Sequence, residues 1–384
     1  MTDWKLMKLE SIIEIIKESH APSMDKSLAY IGLEHIEEQK LRISSIGNST
    51  EVKSSKYKFK SGDILFGKLR PYFRKVVQPS FDGICSTDIW VCRAIDNTMV
   101  QQYLFYFLAN KEFVDTANVA ESGTRMPRAD WKYLRETEWW VPPIHEQKAI
   151  SSILSSLDDK IDLLHRNNKT LEAMSETIFR QWFVEETETW RYIYICDLFE
   201  VRDGTHDSPK QKQVGKPLLT SKHILDGRLD IDNAYLISED DFINVNKRSK
   251  VDTYDILFSM IGTIGLTYME QSTEIKYAIK NIGLFKTSQN VRWAYYTYLW
   301  LKSSLGKGFI HEHRSGSTQE YISLGSLRSI RFKEPTMDML DRFNKIVQSM
   351  FNKIACNSAQ IRTLESLRES LLPKLMSGEI RVKL

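Results

Sequence analysis

The chain has 384 residues, 42% of them apolar and 27% charged, and its mean hydropathy of -0.36 excludes a disordered or fibrous protein. At about 150 residues per domain the length allows two or three domains, and 17 Phe, 16 Tyr and 9 Trp suffice to fill their cores. The 53 Lys and Arg nearly cancel the 50 Asp and Glu, so a uniformly basic coat is excluded and any anion-binding surface has to be local.

In chain order, the N-terminus carries Asp3, Lys5, Lys8 and Glu10 where an export signal would need an unbroken apolar stretch. Asp63 to Phe66 and Ile89 to Cys92 are short, apolar and bounded by turn residues, as strands are. Tyr103 to Leu108 reads as an amphipathic helix. Pro142-Pro143 cannot sit inside a helix, and Glu146 just after them favours a helix N-terminus. Leu284 to Lys286 reads as a further strand and Tyr296 to Leu301 as a second amphipathic helix, and Pro335 with Asp338 opens the last long helix.

These elements recur. Lys160-Ile161 returns as Lys353-Ile354, Thr170-Leu171-Glu172 as Thr363-Leu364-Glu365 and Glu176 as Glu369, all at an offset of 193 residues. The same offset relates Tyr103 to Tyr296, Ser122-Gly123 to Ser315-Gly316, Leu134-Arg135 to Leu327-Arg328 and Pro142 to Pro335. Nearer each start the register slips: Asp63 to Phe66 matches Asp255 to Phe258, His35-Ile36 matches His223-Ile224, and Trp4 matches Trp190, as loops of unequal length require. Single dipeptide matches arise anywhere, but a shared register does not. The duplication divides the chain into two globular halves, 1–143 and 185–336, each followed by a long helical segment, 144–184 and 337–384, the second with a short tail. The fold class expected is α+β: two similar mixed α/β domains, two long helices and an internal pseudo-twofold.

Along the first long helix Leu157, Ile161, Leu164, Asn168, Leu171 and Ile178 fall on steps of three and four, and Met350, Ile354, Asn357, Ile361, Leu364 and Leu371 do so along the second. So narrow a stripe needs a partner helix, and its own repeat is at hand. Antiparallel pairing sets Asn168 against Asn357, whereas parallel pairing in register sets each amide against an apolar residue, at about 1–3 kcal/mol apiece. An antiparallel coiled coil is therefore expected, unless the asparagines lie at the solvent edge. A helix of 40 residues is about 60 Å long and works as a spacer.

Local charge points to a phosphate-binding groove. Lys40, Arg42, Lys53, Lys56, Lys58, Lys60, Lys68, Arg70, Arg74 and Lys75 alternate with Tyr57, Phe59, Phe66, Tyr72 and Phe73. A solvated face is the other reading, but Lys247, Arg248 and Lys250 precede the matching strand of the second half, which favours function. Ser122-Gly123-Thr124-Arg125 through Arg128, with Arg314 to Gln319 in the second half, supplies glycine for close backbone approach and Arg or Gln for bidentate base contacts. Simple turns are the alternative there. Phosphate-loop, amino-methyltransferase, nucleophile-elbow and HExxH signatures are absent, and His311 and His313 form a lone pair in a polar segment. Cys85, Cys92, Cys196 and Cys356 make no CxxC, so reduced thiols without metal are expected. No run of 18 apolar residues suggests a membrane span, and the location expected is the cytoplasm. A non-catalytic binding chain follows.

The pattern resembles the specificity subunits of type I restriction-modification systems over essentially its whole length. The resemblance is carried by Val141-Pro142-Pro143-Ile144-His145-Glu146-Gln147, Leu157-Asp158-Asp159-Lys160-Ile161-Asp162, Gln181-Trp182-Phe183-Val184, Leu371-Leu372-Pro373-Lys374-Leu375 and Gly378-Glu379-Ile380. The second helix departs from it, with Met337-Asp338-Met339 in place of the Glu-Gln pair, so contacts made by that pair need not be symmetric. The resemblance implies two target recognition domains reading the halves of a split, asymmetric site on double-stranded DNA, and helices that set the gap and dock two modification (methyltransferase) subunits. It places S-adenosylmethionine chemistry on those partners, and ATP- and Mg-dependent translocation and cleavage on restriction (motor-nuclease) subunits, leaving no cofactor on this chain. A competing reading from the residues alone is a coiled-coil scaffold presenting two protein-binding lobes.

Overall fold

Ile64-Leu65-Phe66 is apolar at every position, and such a strand has to be covered on both faces. The computed structural model describes residues 3–22, 27–119, 127–185, 190–225, 227–316 and 319–382. The first half begins with β1 (Lys5–Lys8), β2 (Ile13–Ile16), β3 (Ser19–His20), β4 (Ala29–Ile31), β5 (Gly47–Asn48) and β6 (Lys56–Phe59). It continues through β7 (Ile64–Gly67), β8 (Val76–Val77), β9 (Gly83–Cys85), β10 (Ile89–Ala94), α1 (Gln101–Ala109), α2 (Lys111–Val119), α3 (Trp131–Leu134) and β11 (Glu138–Val141) into the 40-residue helix α4 (Ile144–Phe183). An antiparallel sheet of order β2-β10-β7-β8 is the frame, beside a five-stranded sheet of order β3-β6-β9-β4-β5 in which β4 and β9 run parallel. Phe66 and Trp90 face a core with α1, while Leu65, Ile89 and Val91 face Ile31 and Phe59 of the five-stranded sheet.

The second half repeats this frame with β12 (Tyr192–Tyr194), β13 (Val201–Asp203), β14 (Lys216–Leu219), the hairpin β15 (Ile224–Leu225) and β16 (Arg228–Leu229), β17 (Leu236–Ile237) and α5 (Glu239–Ser249). Then come β18 (Ile256–Ser259), β19 (Thr267–Met269), β20 (Ala278–Ile279), β21 (Ile282–Phe285), α6 (Ala294–Lys302), α7 (Ser304–Glu312), β22 (Arg314–Ser315), β23 (Tyr321–Ile322), α8 (Leu324–Arg328), β24 (Arg331–Lys333) and α9 (Met337–Met376). The sheet β13-β21-β18-β19 has the order of β2-β10-β7-β8, β12-β24 answers β1-β11, and β14 lies parallel to β20 as β4 does to β9. Helices α1, α2 and α4 have the same lengths as α6, α7 and α9 and begin 193 residues before them.

A buried carboxylate recurs too. Asp63 holds Arg93 at 2.5 Å, and Asp255, fully buried, holds Lys286, the residue that answers Arg93. The repeated aspartate before each central strand is thus a structural anchor.

Two expectations are corrected. Tyr103 to Leu108 and Tyr296 to Leu301 are not amphipathic: every residue of both is buried. Each lies within a core that includes sheet residues and long-helix residues, Phe66 with Leu154 in one half and Phe258 with Phe179 in the other, so no side is left for solvent. Lys247, Arg248 and Lys250 are also not the counterparts of Lys56, Lys58 and Lys60, because Lys247 and Arg248 end helix α5 with Lys250 as its C-cap, while the first set lies on and just after strand β6.

The chain forms two compact units, residues 1–163 with 360–384 and residues 164–359, so each unit contains one half of each long helix. In the second unit Phe343 is fully buried among Phe183, Phe179 and Trp182, with ring centroids 4.7, 6.2 and 6.2 Å away. Phe343→Ala is expected to cost about 3–5 kcal/mol, read as a lower midpoint of urea unfolding with an unchanged slope.

Candidate nucleic-acid interface and helix seam

The turn between β7 and β8 carries Lys68, Arg70 and Arg74, and it is tied to the segment that follows the 120–126 stretch. Arg70 N–H donates to Pro127 O at 2.8 Å, Ala129 N–H to Lys68 O at 2.9 Å, and Leu69 bridges Arg128. Lys68, Arg70 and Arg128 therefore share one ladder, with Arg128 on Asp88 at 3.2 Å. Burial lowers the Lys68 ammonium from its ordinary range; Asp88 opposes that, and Arg128 and Lys17 add to it. Arg125 lies outside the described residues.

The other basic residues divide. Lys53, Lys58 and Lys60 are exposed, Lys58 pairing with Glu18 at 2.7 Å. Lys56 departs from the expected basic surface: it is buried, donates to Ser54 Oγ at 2.6 Å and lies over the Tyr30 ring of the same sheet, 5.8 Å from its centroid. Arg74 departs too, buried on the carboxylate of Glu369.

In the second half Ile261 bridges Tyr321, the same two places as Leu69 and Arg128. The hairpin β22-β23 carries Arg314, paired with Glu320 at 3.1 Å, then Gly316 with φ +101°, and Gln319 is exposed. Arg248 is held by Asp203 at 2.6 Å and Lys250 by Asp252 at 2.7 Å, while Lys247 is exposed. The contacts thus place Arg314 and Gln319 on one hairpin but engage Arg248 and Lys250 elsewhere. Among the described residues no group of three or more His, Cys, Asp and Glu could hold a metal ion, and no helix is long and apolar enough to cross a membrane.

Within the second unit, residues increasing along α4 meet residues decreasing along α9: Asn168 with Asn357, Ser175 with Met350, Phe183 with Phe343. The two segments run antiparallel. Asn357, fully buried, donates from Nδ2 to Asn168 Oδ1 at 2.8 Å, and Asn168 donates to Ser358 Oγ at 3.3 Å. Leu164 is buried here, and Leu171, Ile178, Met350 and Ile354 are half-buried. In the first unit Ile161 and Ile361 are buried, with Leu157, Leu364 and Leu371 half-buried. There the polar contact is ionic: Arg368, 2% exposed, donates to Asp158 at 2.5 Å, and Tyr106 donates to the other oxygen at 2.7 Å.

Sequence reasoning missed this pair, because Arg368 and its repeat mate Ser175 share no chemistry, although both are buried in the stripe. It also missed the role of the Glu-Gln pair. Gln147 Oε1 accepts from Val100 N–H at 2.7 Å, closing the start of α1, and Glu146 accepts from Trp4 Nε1 at 3.0 Å and pairs with Arg381 at 2.6 Å. Met339 and Leu340 stand at the same places in α9, so these bonds are confined to the first unit.

Asn168→Leu is expected to cost about 1–3 kcal/mol by leaving the buried Asn357 amide without its acceptor, and replacing both with Leu should cost less than the single change. Urea unfolding of the two single variants and the double variant measures the coupling.

Several known proteins resemble this chain. A family model described as the type I restriction modification DNA specificity domain matches the chain twice, over residues 1–173 and 187–366. The chain is 25% identical over 312 residues to the type I restriction enzyme MjaIX specificity subunit of Methanocaldococcus jannaschii, covering 74% of this chain and 70% of that one. It is 23% identical to the HindI specificity subunit of Haemophilus influenzae, over 99% of this chain and 100% of the relative. Among solved structures, the S subunit of a type I restriction-modification system from M. genitalium has the same fold, with a TM-score of 0.55 at 14% identity, covering 100% of this chain and 97% of that one. With both globular halves matched by one family model, the chain belongs to the specificity subunits of type I restriction-modification systems.

Proposed function

We propose that the chain is the non-catalytic DNA-reading subunit of a type I restriction-modification complex in the cytoplasm. Each globular half reads one half of a bipartite, asymmetric target on double-stranded DNA, and the long helices set the unread gap. The single observation that carries this reading is a repeated frame of central sheet and helices whose ladder residues differ: Lys68, Arg70 and Arg128 in one copy, Met260, Gly262 and Tyr321 in the other. Equal frames with unequal side chains suit unequal half-sites, because base edges are told apart by side-chain donors and acceptors.

Two modification subunits dock on the long helices. Support comes from apolar residues left in water at matched places: Ile153 and Ile346 are 37% and 38% exposed, and Met174 and Leu367 are 47% and 43% exposed, each pair 193 residues apart. A surface repeated once within a chain fits two copies of one partner. S-adenosylmethionine chemistry resides on those subunits, and ATP and Mg serve the restriction subunits that join them.

Mapping methylated adenines in cells with and without the gene is expected to reveal one split motif that disappears with the gene. Four residues inserted into α4 add about 6 Å and are expected to lengthen the gap while leaving both half-sites unchanged. DNA affinity of the complex should fall steeply with salt. Salt-insensitive or absent DNA binding, with the modification partner present, would instead favour a protein-binding scaffold.

A further inference from the structure

The two copies build the turn after their central strand differently. In the first half it runs from Lys68 to Arg74, and both Arg70 (φ +52°) and Arg74 (φ +50°) are left-handed. The second half has seven residues between its strands, 260–266, against eight, 68–75, in the first, and the matching left-handed positions are Gly262 (φ +78°) and Gly265 (φ +95°). Glycine adopts this conformation without steric cost, whereas arginine does so under strain that its surroundings must hold in place.

The surroundings differ correspondingly. Each long helix carries two glutamates one turn apart, Glu172 and Glu176 on α4 and Glu365 and Glu369 on α9, related by the same 193-residue offset. In the first unit Glu365 takes Lys40 at 2.8 Å and Glu369 takes Arg74, the last residue of the strained turn. Arg74 is buried, and its Nε and second terminal nitrogen have no acceptor among the described residues, so Glu369 is what balances its charge. In the second unit Glu172 and Glu176 face Lys302 of α6 instead, at 3.8 and 3.7 Å. A cavity of about 560 Å³ opens there, lined by both glutamates together with Ile264, Gly265 and Leu266 of the turn.

We propose that Glu369 is a positioning residue: through Arg74 it holds the 68–74 turn in its strained form, so that Lys68 and Arg70 meet the DNA backbone in register, while the glycine turn of the second half needs no such hold. The DNA contact in this proposal rests on the proposed function; the hold itself does not. Arg74 is thus removed from the phosphate-contacting set and given a structural task on behalf of its neighbours.

The test uses the full chain with its modification subunits and the variants Glu369→Gln, Arg74→Lys and Glu176→Gln. Amide hydrogen exchange over residues 68–76 is expected to speed up about tenfold in Glu369→Gln and to stay near wild type in Arg74→Lys, which keeps the ion pair, and in Glu176→Gln. On duplexes carrying single-base changes in the mapped target, Glu369→Gln should weaken discrimination several-fold in one half-site and leave the other unchanged. Unchanged exchange in Glu369→Gln overturns the hold. Faster exchange with both half-sites equally affected, or neither, overturns its role in reading. A wild-type complex that protects residues 68–76 but methylates no split target overturns the proposed function, and the exchange of the variants still decides the hold.

Discussion

Within each unit a half of one long helix removes its apolar stripe from water only against a half of the other, and the globular core is built onto that contact. Ile150 and Leu154 of α4 and Leu372 and Leu375 of α9 belong to the same core as Phe66 and Leu104 in the first unit. Phe179 and Phe183 of α4 and Phe343 and Val347 of α9 belong with Phe258 and Tyr296 in the second. A helix that is both half of a seam and one wall of a core cannot slip without emptying that core, which gives the antiparallel register its rigidity.

Polar groups inside this seam supply specificity of register more than stability. In the second unit the group is an amide pair, Asn168 with Asn357; in the first it is the Arg368 guanidinium on Asp158 with Tyr106 beside it. Buried pairs of this kind tolerate one geometry, because a shifted register strands a charge or an amide. Glu369 joins this network from the other side, between Arg368 and Arg74. Burial pushes its carboxyl up, but the hydrogen bonds and charges of Arg74 and Arg368 outweigh that and hold it below the ordinary carboxylate range. Its stabilising contribution is therefore fully present above that range and fades as pH falls through the lowered value.

Much of the frame was legible because a duplication writes every signal twice. The prolines before α4 and α9, the repeated Asp-Ile-Leu-Phe strand and the two seam asparagines could each be located from spacing alone. The polar contacts were not legible, since a charged residue does not announce its partner. Arg74 looks like Arg70 in sequence, yet its acceptor comes from 295 residues away. Lys56 looks like Lys58, and a strand puts both on one face, yet the Lys56 ammonium is tucked onto Ser54 and over the Tyr30 ring while Lys58 reaches Glu18 in the open. The replacement of strand β6 by helix α5 escaped detection because the repeat is silent there. The left-handed arginines had no signal until the second copy, with glycine in both places, supplied the comparison.

The antiparallel seam is tested most directly by oxidative cross-linking. Cys196 and Cys356 are exposed and free, so both are first replaced by serine. Cysteines are then placed at Ser175 and Met350, whose side chains approach to 3.2 Å, or at Ser175 and Arg368, the positions that parallel helices in register would bring together. The account predicts that the 175–350 pair closes rapidly to a disulfide and the 175–368 pair does not. Closure of 175–368 in its place would contradict the account.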